Sequence, residues 1–254
     1  MPDNDNINEQ GEYQGMFQNI SDLPSTLPVF PLPGALLLPR GQLPLNIFEP
    51  RYLALVHEAR AKNIPIGIIQ PLQERISKPA VDTLELGELE DSTAADTVKL
   101  YATGCAGNIT SWAETEDGRI LLVLTGICRF TIREELEVDT PYRQCAVDYK
   151  AFKNDLHEGH GEEEVNRALL LETLEKYLNR HDMKADWDAI RDSSNEQLVN
   201  SLAMIGPFGI RERQALLEAD SLNSRNNILI GLTEMDLMEH GRHNDSDNEP
   251  SPTH

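Results

Sequence analysis

The sequence is short of positive charge, of cysteine and of long apolar runs, and each shortage narrows the function. Of its 254 residues only 22 are Lys or Arg, against 43 Asp or Glu, for a formal net charge of −21. A protein that tracks phosphates needs clustered cations, so this balance argues against nucleic acid as a partner. An anionic lipid surface would repel the chain in the same way. No apolar run approaches the ~18 residues of a membrane helix. The opening Met1-Pro-Asp-Asn-Asp-Asn has neither the basic nor the apolar region of a secretory leader. Cys105, Cys128 and Cys145 form an odd set without a C-x-x-C pair, which favours buried thiols in a reducing compartment over disulfides. Together these absences predict a soluble, cytoplasmic protein with no membrane partner.

Catalytic signatures are missing as well. The dipeptide Gly-Lys never occurs, so no P-loop can place a lysine on nucleotide phosphates. There is no G-x-S-x-G elbow, and Ser77 and Lys78 are adjacent, so their side chains diverge instead of meeting. His157-Glu-Gly-His160 offers two imidazoles three residues apart. A metal site needs three or four ligands on a fixed frame, and this glycine-rich stretch reads as a solvated linker. No catalytic residue, metal ligand or cofactor is expected.

What the chain does have is concentrated between Leu27 and Tyr52. A dense apolar run there is punctuated by Pro28, Pro31, Pro33, Gly34, Pro39, Gly41 and Pro44. Proline fixes φ and donates no ladder hydrogen bond, so the stretch predicts short strands turning sharply, with Leu36, Leu37, Leu38, Leu45, Ile47 and Phe48 available for a core. Glu49-Pro50 opens a helix, because proline suits the first helical turn, and that helix should end near Lys62-Asn63. Ile64–Gln70 reads as a buried strand. The Leu/acid pattern within 72–98 reads as a mobile acidic loop.

From Leu100 the pattern is β. Leu100–Trp112 is a strand with Gly104 and Gly107 as bends, and Asp117-Gly118 is a hairpin turn. Arg119–Thr125 reads as a fully buried strand broken by Gly126, and Ile127–Ile132 and Tyr142–Tyr149 close the region. After a polar linker, apolar residues recur at helical spacing through Val165–Leu178, and Ser194 with Gln197 has the spacing of a capping box. Helices follow over 210–219 and from Ser221 or Asn223 to Met238. The expected organisation is a disordered tail over 1–24, a β-rich subdomain over 25–153, a helical bundle over 162–239 and a disordered tail over 240–254.

The blocks Leu27-Pro-Val-Phe-Pro-Leu-Pro-Gly34 and Leu43-Pro-Leu-Asn-Ile-Phe-Glu-Pro-Arg-Tyr52 resemble the N-terminal substrate-recognition domain of Lon proteases. Gly104-Cys-Ala-Gly-Asn-Ile109 and Gly126-Ile-Cys-Arg-Phe130 stand where that family carries G-x-x-A-x-I and G-x-x-R-F. The resemblance implies an α+β fold, a PUA-like β pseudo-barrel followed by a C-terminal helical bundle. It also implies protein partners or unfolded polypeptides, with homo-oligomerisation left open. Lon's ATPase and protease modules have no counterpart in this sequence, so the resemblance points to a non-catalytic binding module, an adaptor for polypeptide substrates. The alternative is a small-molecule or RNA-binding PUA-like groove. Pro31, Gly34, Pro44, Glu49, Arg51, Tyr52, Gly104, Gly126, Arg129 and Phe130 stand mainly as fold determinants under this resemblance. The candidate recognition residues are Phe48, Glu49, Arg51 and Tyr52 at the helix start, and Trp112 near the hairpin; helix capping and sheet packing are the competing structural roles for these side chains.

Overall fold

A computed structural model describes residues 17–72 and 98–246. Of the tail expected over 1–24, residues 1–16 lie outside the described residues, as do all but the ends of the acidic loop; within the rest, Ile20–Asp22 form a short 3-10 helix. The strands are β1 (Thr26–Pro31), β2 (Gln42–Ile47), β3 (Ile66–Pro71), β4 (Leu100–Glu114), β5 (Ile120–Leu136) and β6 (Gln144–Asp148). The α-helices are α1 (Pro50–Lys62), α2 (Arg167–Arg180), α3 (Trp187–Asp192), α4 (Asn195–Ile205), α5 (Ile210–Glu218) and α6 (Leu222–Ser246). The chain forms two compact units: one runs up to Glu158 and takes in Met204–Glu218, the other is Gly159–Ala203 with the chain from Ala219 onward.

The first unit is one sheet in the order β2-β5-β4-β3-β1-β6, and β5 pairs again with β6. That second pairing closes β5-β4-β3-β1-β6 on itself and leaves β2 outside the circuit, the pseudo-barrel of the α+β fold. β1 and β3 run parallel, with Val29 opposite Gly67. A parallel pair needs a crossover, and α1 lies in it. Pro50 opens this helix and Asn63 ends it in the left-handed conformation, with φ of 51°.

Phe130 stands fully buried in the barrel core among Val29, Ile69, Cys128 and Tyr149. Its ring occupies the space that side chains at positions 67 and 104 would need, since a Cβ on Gly104 would lie 2.5 Å from its Cζ. All three cysteines are buried and free.

Gly126 does not break the strand, contrary to the expectation from sequence. β5 runs through it, and glycine is required because a Cβ there would meet the Leu38 carbonyl oxygen at 2.1 Å. The 38–41 turn docks on this point: Arg40 N–H donates to Gly126 O at 2.8 Å and Gly126 N–H to Gly41 O at 2.9 Å. The first half of β5 is also not fully buried. It alternates, with Ile120, Leu122 and Leu124 inside and Leu121 48% exposed.

α5 belongs to the barrel unit. Gln214 donates to Thr103 O at 3.2 Å, Gln70 donates to Ile210 O at 3.2 Å, and Arg129 reaches Leu217 O at 2.9 Å. These are buried polar groups finding their required partners.

In the second unit, Asn166 caps α2 by accepting from Leu169 N–H at 3.2 Å. Ser194 and Gln197 form a reciprocal capping box at α4, with bonds of 3.2 and 3.1 Å. The stretch read as a polar linker is ordered in part through Glu196. Its carboxylate accepts from Gly159 N–H, and its own N–H donates to Glu162. α3, capped by Asp186, has too few apolar residues to stand out in the sequence. α6 continues to Ser246, past the tail expected from 240.

Candidate functional site

The candidate residues lie at one end of the β4–β5 hairpin and the start of α1. The hairpin turns where its sequence predicts, but through a three-residue loop and not a primed Asp-Gly turn: Gly118, not Asp117, takes the positive φ (+79°), Gly118 N–H donates to Thr115 O at 3.0 Å and Thr115 N–H to Arg119 O at 2.9 Å. Asp117 pairs with Arg119 at 2.9 Å. The Thr115 hydroxyl, which donates to it, and then Arg119 hold its carboxyl below the usual carboxylate range.

Phe48 does not join the core with its neighbours as the sequence suggested: it follows β2 on the outward side of the alternation, since Ile47 is buried, and it is 42% exposed. The Arg119 guanidinium stands 5.9 Å from the centre of its ring. Glu49 is the N-terminal flanking residue of α1, but its side chain makes no cap hydrogen bond. Its carboxylate instead receives Arg51 Nε at 3.0 Å and Arg51 Nη2 at 2.9 Å. Tyr52 is turned inward: it is buried and its ring lies 4.0 Å from that of Phe30. Arg51 covers the Tyr52 ring at 4.6 Å.

Trp112 is opposite Leu122, a buried residue, so it faces the core side of the sheet. Arg60 of α1 lies over its ring at 3.5 Å. Phe48 and Trp112, the two aromatic candidates, are therefore on opposite faces. Glu49, Arg51 and Tyr52 form one linked set, and Phe48 belongs with Arg119 and the hairpin.

Sequence reasoning did not single out the outward residues of β2, β5 and β4 next to Phe48. Asn46, Leu121 and Ala113 form one lateral row, and Pro44, Val123 and Ser111 the next. The signal was hidden because both faces of β5 are apolar here, so the strand read as buried. Among the described residues, no group of three or more His, Cys, Asp or Glu side chains is placed to hold a metal ion, and His157 and His160 are exposed. No helix among the described residues is long and apolar enough to cross a membrane.

Comparison with known proteins agrees with this architecture. The structure is similar to a crystal structure of a Lon N-terminal domain protein from Xanthomonas campestris, with a TM-score of 0.54 and 22% identity over 82% of this chain and 98% of that one. It is similar to the N-terminal domain of a Mycobacterium avium complex Lon protease, with a TM-score of 0.52 and 16% identity over the same shares. In sequence, the chain is 30% identical over 130 residues to Lon protease 2 of Myxococcus xanthus, covering 51% of this chain and 14% of that protein. It is 23% identical over 222 residues to the Lon protease of Cytophaga hutchinsonii, covering 85% of this chain and 25% of that protein. The chain thus spans a quarter or less of the length of these relatives. The family model for the ATP-dependent protease La (LON) substrate-binding domain matches residues 26–234, and the chain belongs to that family.

Proposed function

We propose that this chain is a non-catalytic polypeptide-binding module that acts as an adaptor, holding unfolded or regulatory polypeptides in the cytoplasm. The observation that carries the reading is the match of residues 26–234 to a substrate-binding domain. The exposed Phe48 with Arg119 over its ring supports it, since aromatic and arginine side chains are common anchors at protein interfaces. The three buried free thiols suit a reducing compartment. Net charge of −21 disfavours nucleic acid as a partner.

Titration calorimetry with reduced, carboxamidomethylated ribonuclease A, a basic protein whose cysteines are capped without added charge, and with native ribonuclease A tests the reading. Binding of the unfolded form alone is expected, with no new peptide ends after incubation with or without ATP. Equal indifference to both forms would overturn polypeptide recognition, and cleavage would overturn the non-catalytic assignment.

A further inference from the structure

We propose that the outward face of β2, β5 and β4 seats a short, uncharged, apolar stretch of a polypeptide whose flanks carry positive charge. The proposal rests on the polypeptide-binding reading above and gives it a place.

The face consists of laterally paired rows. Asn46, Leu121 and Ala113 stand side by side, as do Pro44, Val123 and Ser111. None of the six is ionisable, in a chain where 26% of residues are charged. Yet Leu121, Ala113, Pro44 and Ser111 are exposed. The same strand shows what an ordinary solvated surface looks like on this protein: further along β5, Arg133, Glu134 and Glu135 are exposed in succession. Loss of charged residues marks the centre of a protein interface. Phe48 ends the face at the hairpin side.

Size selects the occupant. Three strands about 4.8 Å apart and six residues rising about 3.4 Å each give a face on the order of 300 Å². A stable dimer needs about 800 Å² from each partner, so a second copy of this chain has too little to hold. An extended segment of about six residues is about 20 Å long, the length of β2. Addition of a further strand to the sheet is disfavoured, because β2 is the outermost strand and its Pro44 offers no N–H. The segment therefore lies across the face and is held by side chains.

Charge selects the flanks. The neutral face takes no ion out of water when covered, and the field of a chain at −21 draws in cationic polypeptides and repels acidic ones.

The test is fluorescence anisotropy with a labelled peptide of about six central apolar residues and paired lysines at both ends, against a matched peptide with glutamate ends. The variants are Leu121→Asp and, as a second and smaller change, Ala113→Asp. Leu169→Asp, at an exposed position of the helical unit, adds the same charge elsewhere. Circular dichroism shows that each is folded. We expect Kd for the lysine-flanked peptide to rise about tenfold or more in both face variants. It should stay within about twofold in Leu169→Asp, and the glutamate-flanked peptide should bind wild type about tenfold more weakly. Wild-type affinity in both face variants would remove this location while leaving polypeptide binding intact. Failure of wild type to bind the peptides and unfolded ribonuclease A alike would remove the functional reading and this site with it. A wild-type dimer in sedimentation that Leu121→Asp dissociates would show that a second copy covers the face, and would overturn the polypeptide assignment.

Discussion

Arg129 and Asp155 meet inside the barrel unit as an enclosed ion pair, their side chains only 5% and 8% exposed. Arg129 Nε donates to one carboxylate oxygen at 2.8 Å and Nη2 to the other at 2.7 Å. The Asp155 carboxylate also accepts the Arg129 backbone N–H at 2.9 Å, and Nη1 reaches Leu217 O on α5. The Phe152 ring lies 4.4 Å from the guanidinium. One arginine thus ties β5, the turn after β6, and α5 together.

Removing one partner leaves the other charge buried and uncompensated. Asp155→Ala should cost about 3–5 kcal/mol, read as a lower midpoint in urea unfolding. The double variant Arg129→Met, Asp155→Leu should recover most of that loss, because well-packed apolar residues often replace a buried pair at little cost.

Gly104 has no room for a side chain, because the Phe130 ring and the Ile68 carbonyl oxygen stand 2.5 and 2.7 Å from where a Cβ would be. Gly104→Ala should destabilise the barrel by about 1–3 kcal/mol through overpacking. Gly118→Ala meets nothing within 4 Å but forces a positive φ of 79° on alanine; its cost, about 1 kcal/mol, is backbone strain alone. Thermal unfolding of the two variants distinguishes crowding from conformation.

Burial governs stability at high pH. Desolvation pushes the Cys145 thiol up to about 11, and it raises Cys128, Tyr149 and Tyr142 as well. For Tyr142 the hydrogen bond to Glu58 adds to the rise. A thiol whose folded pKa lies above its unfolded value keeps its proton longer in the native state. Its contribution to stability is therefore full below the unfolded pKa, about 8.5, and is lost as pH climbs through 11. Unfolding midpoints should fall over this window, and Cys145→Ala should flatten part of the fall. The same burial predicts that thiol reagents label none of the three cysteines in the folded protein at pH near 8.

The capping box of α4 is a local test of the helical unit. Ser194→Ala removes the acceptor of the Gln197 N–H, and should cost about 0.5–2 kcal/mol. Ser194→Asp should retain most of the stability, since a carboxylate accepts the same hydrogen bond and sits well at a helix N-terminus.

What was legible in the sequence was what depends on a few adjacent residues. Glu49-Pro50 opens a helix, Asp117-Gly118 turns a hairpin, and Ser194 with Gln197 starts α4, each for reasons carried by its own side chains. The pattern of Lon-like motifs pointed to the pseudo-barrel, and the comparisons place the chain in that family. What was not legible depends on distant partners. Gly126 looks like a strand break until the Leu38 carbonyl is seen above it. Helix α5 looks like part of the bundle until Gln70, Thr103 and Arg129 are seen to bind it. Tyr52 and Phe48 are equally aromatic neighbours of the same proline, and only the packing of α1 on Phe30 of β1 turns Tyr52 inward while Phe48 stays out. Leu121 was hidden by its neighbours, because alternation cannot be read when both faces are apolar.

The barrel unit is interrupted in sequence, and this sets an order of events when the chain is made. Strand β1 waits for β6, with Thr26 opposite Ala146, so closure must bridge more than a hundred residues, a separation that slows folding. Even then Arg129 lacks one of its acceptors until Leu217 is available. The unit that begins at the amino end is thus completed only after most of the helical segments have left the ribosome. Until β6 has emerged the strand edges of the unit are open to other chains, and until α5 follows, Gln70 and Arg129 lack their acceptors on it. Nascent chains stalled before residue 204 should therefore be the species that chaperones hold, and those extended past Glu218 the first to resist protease.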